Sequence, residues 1–449
     1  MIIAGGMVHT PEGPREVDVH VDGERIAGLE AWSHPGGEDV IDATGLLVLP
    51  GAVDAHVHGR DPGFPDKETF ETLTAAAAAG GVTTVLDMPN TLPGVSNRAI
   101  FEAKLATVSP RAGVDFGLWG LVRASSSEEE IAGLVGAGAI GLKAYLGYAI
   151  RKSTGQVLYS PAALEPDLEA PANYGTIARL LPALAAAGVP LAVHAEDPSI
   201  LLAAARRIET YDDLLESRPA AAEAVAIAAT GTLASLGGVR LHVVHLSSSA
   251  GLNAVRAARA AGALMSIETC PQYLWLTAAD YGRLGPVMKN FPLVREAGDR
   301  AALRAALLSG EIESVGTDHA PHTDPEKLGH PLGEAHAGSP GVQTLLLSCL
   351  ELAREAGDLQ LAVKWACEAP ARIFGLQGRK GVIVPGADAD LVLVDPRATT
   401  LVAENWMLSK QTHASLGGLE FGFAIRRVLL RGGAPGVGRG RFLRPGSYS

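Results

Sequence analysis

Residues 240–269 read R-L-H-V-V-H-L-S-S-S-A-G-L-N-A-V-R-A-A-R-A-A-G-A-L-M-S-I-E-T. A short apolar run, Arg240–His245, leads into an alanine-rich helical stretch, Ala250–Ala261, and then a second apolar run, Leu264–Thr269. Apolar strands separated by helices read as a parallel sheet covered by helices. The same alternation extends outward in both directions. Strands are expected at Val48–Val57, Val82–Met88, Phe116–Val122, Ile140–Leu146, Pro190–His194 and Glu313–Gly316 as well. Helical patterns occupy Lys67–Ala79, Arg98–Thr107, Ser127–Val135, Tyr174–Ala187, Ala220–Leu236, Asp299–Leu308 and Gly341–Ala356. Eight strand–helix units predict an α/β fold, a closed (β/α)8 barrel of the TIM type. A doubly wound open sheet is the rival, but no dinucleotide-binding glycine fingerprint follows the first strand.

The chain ends read differently. Val17–Val21 alternates as a strand, with turns at Asp22–Gly23 and Thr44–Gly45. Alternation returns in Ala389–Val394 and Ile425–Leu430. Neither end alone makes a core, so residues 1–50 and 380–449 are expected to form one composite β-sandwich. Residues 51–379 form the barrel. The stretch 147–172, rich in Gly and Pro, leaves strand four at the face where barrel enzymes keep their sites. It is expected to be a lid.

Composition narrows the function classes. The 449 residues include 53 Gly, 47% are hydrophobic and 19% are charged, which excludes intrinsic disorder. The net charge of −12, with no Lys/Arg block, gives no footprint for nucleic acid or for an anionic membrane. The longest apolar stretch, Leu180–Val193, carries Pro182 and Pro190 and falls short of the ~20 residues of a bilayer span. No signal peptide is evident at the N-terminus. Cys270, Cys349 and Cys367 are odd in number and widely spaced, so a reduced, cytoplasmic setting is expected.

Chemistry collects at strand ends. His56 and His58 form D-A-H-V-H after strand one; His194 ends strand five, His245 strand six and Asp318 strand eight. Side chains two apart on a strand point the same way, so His56 and His58 can face one metal. Any single histidine is more simply a core or surface residue. Four histidines and a carboxylate at one rim signal a divalent metal. Lys143 lies within strand four. On spacing alone a Lys143 that points outward between helices is the plainer reading. Buried, it must lower its pKa, pair with a carboxylate or be modified, for example to a carbamate.

The set H-x-H, Lys, His, His, Asp on successive strands, with G-V-I-V-P-G-A-D-A-D-L-V-L-V-D at Gly381–Asp395, resembles the cyclic-amide branch of the amidohydrolase superfamily. The resemblance covers essentially the whole chain. It implies that His56, His58, carbamylated Lys143 and Asp318 bind one Zn²⁺, and that Lys143, His194 and His245 bind a second. A hydroxide would bridge the two ions. Asp318 would then shuttle the proton from the hydroxide to the leaving ring nitrogen.

Three further residues bear on the substrate: Arg60 in H-V-H-G-R-D-P-G, Asn90 in D-M-P-N-T and His322 in D-H-A-P-H. Together they suit a carboxylate. Singly, Arg60 could pair with Asp61 or Asp66, Asn90 could serve a turn, and His322 could cap a loop. The strings R-D-P-G, K-E-T and M-P-N-T-x-P resemble dihydroorotases, which interconvert N-carbamoyl-L-aspartate and L-dihydroorotate in pyrimidine synthesis. That is the leading expectation. Tyr148, five residues after Lys143, and E-T-C-P-Q-Y-L at Glu268–Leu274 look instead like hydantoinases, dihydropyrimidinases or allantoinases. Lys289–Arg295 also departs from the dihydroorotase pattern. A non-catalytic scaffold is the remaining reading, countered by the presence of all six ligand positions. The expected partners are a small cyclic amide, carboxylated, and further copies of the chain in a homo-oligomer.

Overall fold

The computed structural model describes residues 1–32 and 39–446. Its central strands are Ala52–Val57 (β1), Val82–Asp87 (β2), Asp115–Leu118 with Gly120–Val122 (β3), Leu142–Tyr145 (β4), Leu191–His194 (β5), Leu241–Val243 (β6), Met265–Thr269 (β7) and Ser314–Val315 (β8). All neighbours pair parallel and in chain order. A parallel bridge between Val57 and His319, with the His58 amide donating to the His319 carbonyl at 2.7 Å, brings the chain after β8 beside β1. This is the curled α/β sheet that the alternation predicts.

Two strands differ from expectation for steric reasons. The single run Val48–Val57 divides at Gly51: Leu47–Pro50 joins the sheet of the chain ends and β1 opens the ring. A side chain at Gly51 would stand 2.1 Å from Thr83 Oγ1, so only glycine passes there. β3 is interrupted at Trp119, whose buried indole donates to the Ala55 carbonyl at 3.3 Å. That ring packs inside the barrel with Val53, Leu86, Ile140 and Phe374.

The outer helices lie where the periodicity places them, with ends set by caps. Thr69, Asn97, Ser127, Asn173 and Ser248 each accept a backbone N–H of the first turn that would otherwise lack a partner. The first helix therefore starts at Phe70, three residues later than the expected Lys67. Small residues bring helices close: a Cβ on Gly231 would stand 2.6 Å from that of Ala258. One stretch among the described residues, Tyr211–Gly237, is long and apolar enough to cross a membrane by length and composition. It breaks at Arg218–Pro219, and Ala220–Gly237 packs on Tyr174–Ala186 and Ser249–Ala260.

The chain ends share one eight-stranded sheet. Leu391–Asp395 pairs with Leu47–Pro50 on one side and Ala424–Leu429 on the other. Gly13–Asp22 pairs with Met7–Thr10 along its first half and with Ile2–Ala4 and Arg25–Ala31 along its second. Ile3, Val8, Val19, Ile26, Leu391 and Leu393 form its own core. The tail then leaves this sheet and runs beside β3, where the Phe116 amide donates to the Arg441 carbonyl at 2.9 Å. Residues 147–172 hold a small antiparallel sheet of Tyr148–Arg151, Val157–Tyr159 and Leu168–Glu169.

A buried ion cluster ties β3 to the terminal sheet. Lys380 Nζ lies 2.5 Å from Asp115, 2.8 Å from Asp388 and 2.7 Å from Asp390, and Arg431 also grips Asp115. Without Lys380, Asp390 would keep only the Arg431 amide. Removing one partner of a buried ion pair strands the other charge. Lys380→Met is therefore expected to cost about 3–5 kcal/mol of stability, read from the urea midpoint. A loss below about 1 kcal/mol would show that the carboxylates find other partners.

Candidate active site

Five of the six expected ligands lie at or just beyond a strand's C-terminal end, and Lys143 is the second residue of β4. His56 is in β1 and His194 closes β5, while His58, His245 and Asp318 stand one to three residues past β1, β6 and β8. Arg60, His245 and Asp318 hold φ of 58°, 43° and 51°. Left-handed backbone is costly for residues with a Cβ and persists where the surroundings impose it. Here it turns three side chains into one cavity.

That cavity, about 650 Å³, is lined by His56, His58, His194, His245, Asp318, Arg60, Asn90, Tyr148 and His322. The ring nitrogens divide into inner and outer sets. Outward, His56 Nδ1 meets Glu268 Oε1 at 2.9 Å, His58 Nδ1 meets Asn90 Oδ1 at 2.6 Å, and His194 Nε2 meets Glu196 Oε2 at 2.9 Å. Inward, His56 Nε2 and His58 Nε2 lie 3.2 and 3.0 Å from Asp318 Oδ1. His194 Nδ1 and His245 Nε2 converge to 2.9 Å. Burial lowers the pKa of all four rings, most at His56 and His245. Neutral imidazoles whose outer nitrogens donate to oxygens turn lone pairs inward, as metal ligands do.

Lys143 is fully buried beneath these rings, which overturns the outward reading. Burial brings its pKa to about 7 against the opposing pull of Asp318 and Glu268. Its Nζ has no hydrogen-bond partner, and neither has His245 Nδ1. An orphaned buried amine beside converging lone pairs fits a divalent metal centre. His56, His58 and Asp318 form one group with ligand atoms within 4.8 Å of one another.

The supporting residues carry no clear mark in the sequence. Asp54 accepts from the Thr317 amide at 3.1 Å, the Thr317 hydroxyl at 2.5 Å and the His56 amide at 3.2 Å. Burial outweighs these bonds and raises its carboxyl to about 7. Asp87 accepts from the Gly59 amide at 2.7 Å and pairs with buried Lys104 at 2.6 Å. Burial raises Glu268 to about 8, against Lys143. At Glu196 burial also pushes upward, but Arg218 and His194 win and hold the carboxyl at about 2. Acids two places from a histidine, or inside an apolar strand, were the only available signal.

The substrate-side residues share the cavity. Arg60 donates through Nε to the Pro321 carbonyl at 3.3 Å and stands 3.2 Å from His322 Nε2. Asp61 pairs with Arg111 instead, at 2.6 Å. Lys67 stands 3.2 Å from His322 Nδ1 and 2.8 Å from Glu326. The Tyr148 ring packs edge-on against His194 at 5.1 Å.

A parallel α/β ring with histidines and a carboxylate gathered at its C-terminal rim defines a hydrolase built around a metal-type centre. The pattern of the amidohydrolase family spans residues 47–434. An allantoinase of Rubrobacter xylanophilus is 36% identical over 464 aligned residues, covering 99% of this chain and 97% of that protein. A dihydroorotase of Pelotomaculum thermopropionicum is 34% identical over 405, covering 88% and 89%. The solved L-hydantoinase (dihydropyrimidinase) of Arthrobacter aurescens superposes with a TM-score of 0.90 at 29% identity, over 99% of both chains. The chain belongs to the amidohydrolase family and is a hydrolase acting on cyclic amides.

Lys143 makes a pH prediction with a definite sign. Its value falls from 10.5 to about 7 on folding, so between those pH values the unfolded chain binds the extra proton. Its contribution to stability is full above pH 10.5 and lost as pH falls toward 7. In metal-free protein, wild type should therefore gain on Lys143→Met as pH rises through that window, read from urea midpoints. A pH-independent difference would contradict an unpartnered buried amine.

Proposed function

We propose that this protein opens a cyclic ureide of the allantoin or hydantoin type at a binuclear zinc centre. The observation that carries this reading is Tyr148, packed against His194 in the cavity wall. The full-length likeness to the Rubrobacter allantoinase supports it over the dihydroorotase expectation. His56, His58 and Asp318 would hold one ion, His194 and His245 the other, and Lys143 as a carbamate would serve both. Bound there, the ions would supply Lewis acidity for the scissile carbonyl and acidify the attacking water.

The chain's own groups do the rest. Asp318 accepts the water's proton and returns it to the leaving ring nitrogen. Burial raises the Tyr148 phenol well above its usual value, so at neutral pH it stays an O–H donor for the scissile carbonyl oxygen. Asn90 spends its oxygen on His58 and has only its NH₂ to offer the ring. Arg60 likewise only donates. Gln156 and the Val157–Tyr159 strand of the small antiparallel sheet line the cavity and would exclude water. A cytoplasmic setting suits the three buried free thiols.

Dihydroorotase is the second reading, because Arg60, Asn90 and His322 line the same cavity and could hold a carboxylate. Relative kcat/KM on zinc-loaded enzyme decides between them. Allantoin or hydantoin is expected to exceed dihydroorotate at least about tenfold, and Tyr148→Phe to lower kcat on the preferred ring about 10²-fold. A preference for dihydroorotate, abolished by Arg60→Ala, would restore the second reading. Separately, metal-loaded protein equilibrated with ¹³C-bicarbonate should show one carbamate carbon, absent from Lys143→Ala.

A further inference from the structure

Glu196 and Arg218 are both buried beside the site and have no part in the hydrolysis outlined above. Glu196 Oε2 lies 2.9 Å from His194 Nε2. Arg218 grips the same carboxylate from behind, with Nε 3.1 Å from Oε1 and a terminal nitrogen on Oε2. The guanidinium is itself stacked, its Cζ 3.6 Å from the centre of the Phe291 ring and 4.7 Å from that of Tyr159. Tyr159 belongs to the Val157–Tyr159 strand that lines the cavity. One cation thus touches the covering segment and, through one carboxylate, the back of a ring whose front meets His245.

A buried ion pair is on average no great source of stability, so its presence calls for a directional role. An ionised carboxylate only accepts hydrogen bonds. His194 Nε2 must then carry the proton, and Nδ1 presents its lone pair toward His245. Loss of the Arg218 grip would leave the Glu196 carboxylate free to turn away from His194, and the tautomer would no longer be imposed.

We propose that Arg218 is a positioning residue: it holds Glu196 so that His194 keeps its Nδ1 lone pair inward, and it seats Tyr159 on the same guanidinium. This rests on the metal role proposed for His194. The test uses Glu196→Gln, Arg218→Lys, Tyr159→Leu and His194→Ala in the full chain. In Glu196→Gln an NH₂ replaces one of the two oxygens, so Arg218 and His194 compete for the single acceptor left and the Nε2–H form of His194 is no longer imposed.

Zinc titration of the chelated protein should show the second equivalent bound about 10–100-fold more weakly in Glu196→Gln, with the first unchanged. Arg218→Lys and Tyr159→Leu should lose less, in that order. ¹⁵N-histidine spectra of metal-free protein should show the Nε2–H form of His194 in wild type and its loss in Glu196→Gln. Glu196→Gln is close to isosteric, so it decides the matter if Arg218→Lys does not fold. Wild-type zinc affinity and an unchanged His194 tautomer in folded Glu196→Gln would overturn the proposal. If His194→Ala keeps both zinc equivalents, the metal reading fails instead. The tautomer in metal-free protein still judges the positioning role.

Discussion

Asp54 accepts from the amide and hydroxyl of Thr317, and those two hydrogen bonds hold the seam where the sheet meets itself. Beside them the His58 amide donates to the His319 carbonyl. The partners are some 260 residues apart in the chain, so closing this seam carries a large loop entropy. It also fixes the chemistry. Asp54 sits two residues before His56, and Thr317 directly precedes Asp318. Registering one pair against the other sets His56 and His58 three ångströms from Asp318. A slip of one residue would turn both histidines to the opposite face, because strand side chains alternate.

The same logic extends outward from the rings. An acceptor on the outer nitrogen fixes the inward lone pair, and Glu268, Asn90 and Glu196 provide one for three of the four rings, while His245 Nδ1 has no hydrogen-bond partner. Burying carboxylates there is unfavourable, and the structure answers it differently at each one. Glu196 is compensated by Arg218, and Asp87 by Lys104. Glu268 has no cation in hydrogen-bond contact, and its second oxygen is unpartnered. Glu268 thus stands without a cation partner, whereas Glu196 and Asp87 are each held by an ion pair.

The sequence is legible where a rule is local. Period-two alternation places His56 and His58 on one face, and the apolar runs place His194, His245 and Asp318 at strand ends. The Ala- and Gly-rich helices show their packing in their composition. The rest depends on distant partners. Nothing near Glu268 indicates His56, 212 residues away. Lys143 reads as outward by spacing because the pattern around it is apolar on both faces, and only closure of the ring decides which face is the lumen. Gly51 reads as mid-strand because the side chain that excludes any larger residue, Thr83, lies on another strand. Residues 147–172 read as irregular since their strands are two to four residues long, too short for alternation to register.

The net charge of −12 is a poor guide to the cavity. Arg60, Lys67, Arg206, Arg218 and Lys289 all line it, against Asp318 and Glu334. Burial, with a smaller push from Arg218, lowers Lys289 to about 8. Low-dielectric walls focus such a field on whatever enters. Cationic donors hold a carboxylate more strongly than a neutral ring carbonyl, which is why this wall keeps dihydroorotate as the second reading. Tyr148 is held between His194 and Tyr159, and in the proposed function it is the group that would set how far the scissile carbonyl approaches. Tyr148 and Tyr159 both belong to the small antiparallel sheet, and Tyr159 rests on Arg218. In the proposed function, the choice of ring would thus be tied to how that segment sits as well as to the residues that would hold the ions.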